Sequence, residues 1–255
     1  MTARDTLKIL LRSGSGRAGA VFLIVMVLVS AYVLVSFPLD FGSRQWNNPA
    51  EWADNPRAVP PAWVSFFGGK NTVPHVVFNA SEPNDVVTAG SARRLLYTFD
   101  YEAHGETAPS FTSFTVSDVR FQSMPPVLSV EVTRPDGKRV PLYREVVRGP
   151  RPGEEAPYTR YQGAPLRVFI SGSQDTLTLL SSFLRREFEV SVNPNDLGGR
   201  VEQVIFGVPV VGQPGTFQPL SGKYTFTVQA LVTDSADTIG GVKLVLGGTV
   251  FGVMG

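Results

Sequence analysis

The sequence predicts a membrane-anchored protein: one N-terminal transmembrane helix, then a mainly antiparallel, sandwich-like β domain with one helix on the extracytoplasmic side. Three observations carry this reading. Ala18 to Phe37 reads AGAVFLIVMVLVSAYVLVSF, without a charge. From about residue 73 onward, several segments alternate apolar and polar residues, the period of a half-buried strand. One stretch, 173–190, carries leucines at helical spacing instead. The implied organisation is a basic cytoplasmic tail (1–17), a transmembrane helix (18–37), an aromatic and proline-rich interfacial segment (38–72) and an extracytoplasmic, mainly β domain (73–255).

At 1.5 Å rise per residue the apolar run is about 30 Å long, which matches the hydrocarbon thickness of a bilayer. Its β-branched residues are compatible with a helix, because lipid forces every backbone hydrogen bond inside the segment. Pro38 ends it, since proline disfavours helical geometry in the residue before it. Arg4, Lys8, Arg12 and Arg17 precede the span against Asp5 alone, while Asp40 and Arg44 follow it. The positive-inside rule then places the N-terminus in the cytoplasm and residues 38–255 outside a plasma membrane crossed once. The rival is a cleaved signal peptide with Val29-Ser30-Ala31 as its small-residue site; the apolar run continues past that site, longer than a signal's apolar region. Thr2–Leu11 is read as either a short cytoplasmic helix, with Leu7, Leu10 and Leu11 on one face, or an unstructured basic tail. Ser13-Gly14-Ser15-Gly16 is expected to be a flexible joint rather than a phosphate loop.

Composition removes whole classes of function. Lys and Arg number 23 against 22 Asp and Glu, so no global field steers nucleic acid, and no nucleic-acid partner is expected. There is no cysteine, which excludes disulfides, thiolate catalysis, Cys-ligated zinc and iron–sulfur clusters. No cofactor is expected.

Residues 45–67 read QWNNPAEWADNPRAVPPAWVSFF and hold all three tryptophans, Trp46, Trp52 and Trp63. Tryptophan favours the headgroup layer, where an apolar ring and an N–H donor are both satisfied. Pro49, Pro56, Pro60 and Pro61 break any long helix here. The segment reads as an interfacial collar, with a docking surface for another membrane subunit as the alternative.

In the β domain, Arg93–Glu102 places Leu95, Tyr97, Phe99 and Tyr101 on one face. Residues 111–121 form a further strand. Residues 127–147 form a hairpin whose turn, Arg134-Pro135-Asp136-Gly137, combines proline's fixed φ with a glycine for positive φ. Leu166–Ile170 is expected to be a short buried strand. Residues 222–232 place Tyr224, Phe226, Val228, Ala230 and Val232 on one face, and GGVKLVLGGTV is expected to pair with them. The helix over 173–190 has Leu177, Leu180, Leu184 and Phe188 on one stripe. Ser173 or Asp175 would cap it, and Arg185 and Arg186 would suit its C-terminal end. VEQVIFG (201–207) fits helix and strand equally.

Little in this domain points to chemistry, and no enzyme is expected. Asp100, Glu102 and His104, with Glu106, alternate on one strand face and offer oxygen and imidazole to a divalent metal. Same-face neighbours lie about 6.5–7 Å apart, too far to share one ion without a bend. A solvated strand edge is the plainer expectation, and no metal site is assigned. Ser171-Gly172-Ser173 lacks the glycine pattern of a nucleophile elbow. Asn193–Arg200 (NPNDLGGR) reads as a turn rather than a calcium loop. Asn79-Ala80-Ser81 is a glycosylation sequon on the outer side, making Asn79 the candidate acceptor.

NNPAEWADNPRAVPPAW, directly after a first transmembrane helix, resembles the start of permease subunits of dipeptide/oligopeptide ABC importers, especially archaeal ones. In those subunits an Asn/Asp-Pro segment and a Pro-Pro lead to Gly-Thr-Asp-x-x-Gly-Arg-Asp and the transport helices. The version resembled here inserts a large extracytoplasmic domain between the two. LGGTVFGVMG is similar to the run just before Thr-Asp-x-x-Gly-Arg-Asp, with Gly255 in the place of the first glycine. The resemblance implies the N-terminal part of an inner-membrane permease component, the sequence stopping where the permease core would begin. It implies as partners the membrane, a second permease subunit, ATP-binding subunits contacted through that core, and an extracytoplasmic peptide-binding protein. The later helices and the cytoplasmic Glu-Ala-Ala loop are not in this sequence, so transport itself does not carry over. The alternative is a standalone single-pass protein whose β domain binds a partner or glycan at the cell surface.

Overall fold

The structure, a computed structural model, describes residues 13–67, 72–90, 92–104, 107–213 and 215–251. The helix proposed over Thr2–Leu11, Glu106 and the closing Gly252–Gly255 lie outside the described residues. The chain divides between Ala53 and Asp54 into two compact units.

The first unit is dominated by α1, Gly14–Ser36, the one helix among the described residues long and apolar enough to cross a membrane or to act as a signal sequence. Its apolar side chains are exposed around the whole circumference, the property of a helix that a core does not cover. The Ser-Gly run is not a joint: Ser13 caps the helix, its Oγ accepting the Gly16 N–H at 3.0 Å, so Gly14–Arg17 are helical. An N-cap serine lets the helix propagate back through glycines that would otherwise fray. The helix stops at Phe37, extended at φ −118° and ψ 135°, as Pro38 requires. A π-helical turn, Gly42–Trp46, and α2, Pro49–Trp52, follow.

The second unit runs through a 3₁₀ turn (Ala62–Phe67), β1 (Val76–Ala80), β2 (Asp85–Ala89), β3 (Ala92–Ala103) and β4 (Thr112–Phe121). The hairpin β5 (Val127–Thr133) and β6 (Arg139–Val146) is followed by β7 (Tyr158–Arg160), β8 (Leu166–Phe169) and the helix α3 (Gln174–Phe188). The short helix α4 (Val201–Ile205) precedes β9 (Gly207–Pro209), β10 (Phe217–Pro219), β11 (Gly222–Val232) and β12 (Thr238–Leu246). One antiparallel sheet has the order β2-β3-β11-β5-β6; the other has β1-β12-β4-β7, with β8 also on β4. β9 and β10 make a two-stranded ladder.

The two large sheets face one another. Phe78 of β1 meets Phe99 of β3 at 5.6 Å, and Phe114 of β4 meets Tyr143 of β6 at 4.9 Å. The Tyr97 hydroxyl donates to the Ile239 carbonyl at 3.3 Å. The alternating faces of β3 and β11 enter this core as their period requires. The hairpin turn closes with Gly137 at φ 78° and its N–H on the Arg134 carbonyl.

β12 does not pair with β11, contrary to the sequence expectation. β11 is central, flanked on both edges by β3 and β5, so its ladder is full. Residues 233–237 turn the chain into the other sheet, where β12 pairs with β1 and β4. The buried Asp237 fixes that corner: its carboxylate accepts N–H groups from Gln122, Thr233 and Asp234. The Asp237 carbonyl accepts from Arg93. Leu166–Phe169 is only half buried, because β8 pairs on one edge alone. The ambiguous 201–207 splits into the helix α4 and the start of β9. Asn193 caps a 3₁₀ turn, Pro194–Leu197.

α3 lies against β6. Ser173 caps it, with Asp175 in the first turn and Arg185 and Arg186 in the last. Leu177, Leu180, Phe183 and Leu184 are buried, Phe188 packs at the margin, and the Thr176 hydroxyl donates to the Leu142 carbonyl at 2.8 Å.

Candidate functional site

The acidic strand face lies on the half of β3 that β2 does not reach. Asp100 accepts the Thr225 hydroxyl at 2.7 Å and pairs with Lys223 at 2.9 Å, and these two partners hold its carboxyl below the usual range. Glu102 stands opposite Lys223 in the β11 register. Among the described residues, no three His, Cys, Asp or Glu side chains converge as a metal cluster.

The tryptophans fall in both units. Within the first, the Trp52 indole N–H donates to the Trp46 carbonyl at 3.0 Å, and the rings meet edge to face at 5.4 Å. Within the second, Trp63 sits in the 3₁₀ turn and is 59% exposed. Asn79 is exposed on β1, an edge strand.

The structure adds a feature that no strand pattern signals. Segments near the two ends of the β unit run side by side. The Phe251 N–H donates to the Pro60 carbonyl at 3.0 Å and the Ala62 N–H to the Phe251 carbonyl at 2.9 Å, a parallel bridge at Pro61. The Thr249 N–H donates to the Val73 carbonyl at 2.9 Å, and its hydroxyl accepts the Val73 N–H at 2.8 Å. The Ser110 N–H and hydroxyl bind the Gly247 and Gly248 carbonyls. Both glycines are required by close approach: a Cβ would stand 2.2 Å from the Phe111 ring at Gly247 and 2.4 Å from the His75 backbone nitrogen at Gly248.

Aromatic rings surround this seam. His75 lies 5.7 Å from Phe251 and 6.5 Å from Phe111, which stacks on Phe169 at 5.6 Å. Phe169 is 49% and Phe251 41% exposed. Burial lowers the basicity of His75, against the opposing pull of the Asp54 carboxylate and the Leu246 backbone. Asp54 is itself held by Arg167, at 2.7 Å, and by Lys243. The sequence hinted at this feature only through its glycines and apolar run at 245–251.

A cleft of about 630 Å³ opens beside α4, lined among others by Ser110, Arg200, Glu202, Phe206 and Phe217. Glu202 is 7% exposed. Its Oε1 accepts the Ser171 hydroxyl at 2.5 Å, and Ser171 Oγ in turn accepts the Thr112 N–H at 2.8 Å. Burial raises the Glu202 pKa, against those hydrogen bonds. Through Ser171 the Glu202 carboxylate ties α4 to β4. Nothing in VEQVIF signals a buried acid.

No family model, no curated protein and no solved structure matches this chain.

Proposed function

We infer that the chain is the N-terminal anchor and outer domain of an inner-membrane permease component of a peptide ABC importer. In this reading α1 crosses the plasma membrane once with the N-terminus cytoplasmic. Residues 38–255 lie outside, and the two facing sheets form a sandwich-like extracytoplasmic domain that contacts the peptide-binding protein or the second permease subunit. The observation that supports it is the seam. A domain inserted into a membrane subunit must return the chain to the place it left, and here residues 60–62 and 249–251 are hydrogen-bonded neighbours. Insertions are accommodated where the two ends of the inserted unit lie together at its surface. The seam residues belong to the two sequence runs, NNPAEWADNPRAVPPAW and LGGTVFGVMG, that resemble the flanks of such an insertion.

Two measurements test this. Reading the gene beyond codon 255 is expected to give Thr-Asp-x-x-Gly-Arg-Asp and further apolar helices. Unrelated sequence there would remove the resemblance. Co-purification from detergent-solubilised membranes is expected to recover a peptide-binding protein or a second permease subunit with the chain, and recovery of neither would favour a standalone surface protein.

A further inference from the structure

We propose that the seam end of the β unit is a membrane-docking face, seated on the headgroup layer of the bilayer that holds α1. The inference rests on the anchor reading above and adds a second, peripheral contact to it.

The register gives the β1-β12-β4 sheet two chemically different ends. At one end stand Val76, Leu246, Thr112 and Phe169. The segments that close this end, 108–113, 168–173 and 244–251, carry no charge at all. Exposed rings crowd it: Phe169, Phe251 and Trp63, two residues beyond the Pro61 bridge. At the other end stand Ala80, Thr238 and Phe121. The loops there read SEPND (81–85), RGPRPGEEAP (148–157) and DSAD (234–237), rich in acids.

Charge around the seam is also sorted. Between Asp54 and His75 the described residues hold Arg57 and a single acid, Asp54. That acid is neutralised twice over, by Arg167 and Lys243. With Arg57, Arg167 and Lys243 set against Asp54, these described residues leave a surplus of positive charge on the seam side. Aromatic rings with an adjacent basic rim are the combination that favours an interface of anionic headgroups. A soluble protein partner would need neither feature placed at the end where the chain arrives from an apolar helix. Residues 37–53 connect α1 to this unit, a tether of at most about 60 Å when fully extended. The seam is the end that this tether joins, so docking demands little further ordering of the chain.

The absence of cysteine makes the test direct. The full chain is reconstituted into nanodiscs of phosphatidylcholine with or without phosphatidylglycerol, carrying one spin-labelled cysteine at Phe169→Cys, Phe251→Cys or, as the far-end control, Glu155→Cys. The accessibility of each label to oxygen and to a water-soluble nickel complex is compared. Labels at 169 and 251 are expected to show a several-fold higher oxygen-to-nickel ratio than the label at 155 in anionic discs. That excess should shrink with raised salt or without phosphatidylglycerol. Water-like labels at 169 and 251 in anionic discs would overturn the docking face, as would labels shielded from both reagents, which would mark a protein contact. Carbonate extraction of the same chain separates the two readings: a chain that stays in the membrane with water-exposed labels loses the docking face and keeps the anchor. A chain released into the supernatant loses both.

Discussion

Two buried charged side chains decide much of the chemistry of the β unit. Glu202 sits nearly sealed beside the cleft, and burial raises its pKa. A group whose folded pKa exceeds its unfolded value contributes stability that is complete below the unfolded value, about 4.5, and is lost as pH rises through the folded value. Glu202→Gln keeps an oxygen for the Ser171 hydroxyl and removes the charge. The variant is therefore expected to equal the parent in thermal stability near pH 4 and to exceed it near pH 7. Melting curves across that range check this; a variant less stable at neutral pH would mean that ionised Glu202 is a net asset. Arg134 is buried differently. Its guanidinium donates to the Val204 and Gly207 carbonyls at 3.0 and 2.7 Å, pairs with Asp136, and lies over Phe183 and Phe188. Arg134→Ala strands two carbonyls and one carboxylate, and is expected to cost about 3 kcal/mol in urea unfolding. Arg134→Lys should recover little, because an ammonium cannot reproduce the planar fork.

The elements differ in how far their own sequence specified them. β3 and β11 alternate over their whole length, and that alternation is the face that enters the core. α3 was legible from its cap and its leucine stripe. Leu180→Ala is accordingly expected to cost about 2–5 kcal/mol and Ser173→Ala about 1 kcal/mol, measured as shifts in denaturant midpoint at unchanged slope. β12 was legible as a strand and misjudged in its pairing. Period two reveals which residues share a face, but the partner depends on whether the neighbouring edge is already filled, which β3 and β5 do for β11. β2 carries no buried residue and so no alternation to read. Ser13 shows the reverse error: a glycine-rich run looked unstructured, and one cap with an apolar helix behind it was enough to make it helical.

At the scale of the β unit, the seam pairs residues 60–62 with 249–251, near the two ends of that unit. Its glycines are visible in the sequence as part of an apolar run, but the contacts that require them are not. The contacts of Gly247 with Phe111 and of Gly248 with His75 join segments far apart in the chain. If the incoming and outgoing segments act together, weakening one should loosen the other. Thr249→Ala removes the acceptor for the Val73 N–H. Losing a bond worth about 1 kcal/mol corresponds to roughly a fivefold change in local opening. Amide exchange of Val73 and Ala62 should both accelerate by about that factor, while the amides of β11 stay unchanged. Acceleration at Val73 alone would mean that the two sides open independently. Acid should act in the same direction through His75. Burial holds its folded pKa below the unfolded value, about 6.5, with the Asp54 carboxylate and the Leu246 backbone opposing. A depressed value means that its contribution is complete above the unfolded pKa and is lost as pH falls through the folded one. After correction for intrinsic exchange rates, seam amides should lose protection relative to β11 as pH falls below the unfolded His75 value of about 6.5. That difference should vanish in His75→Gln, which cannot take up the proton.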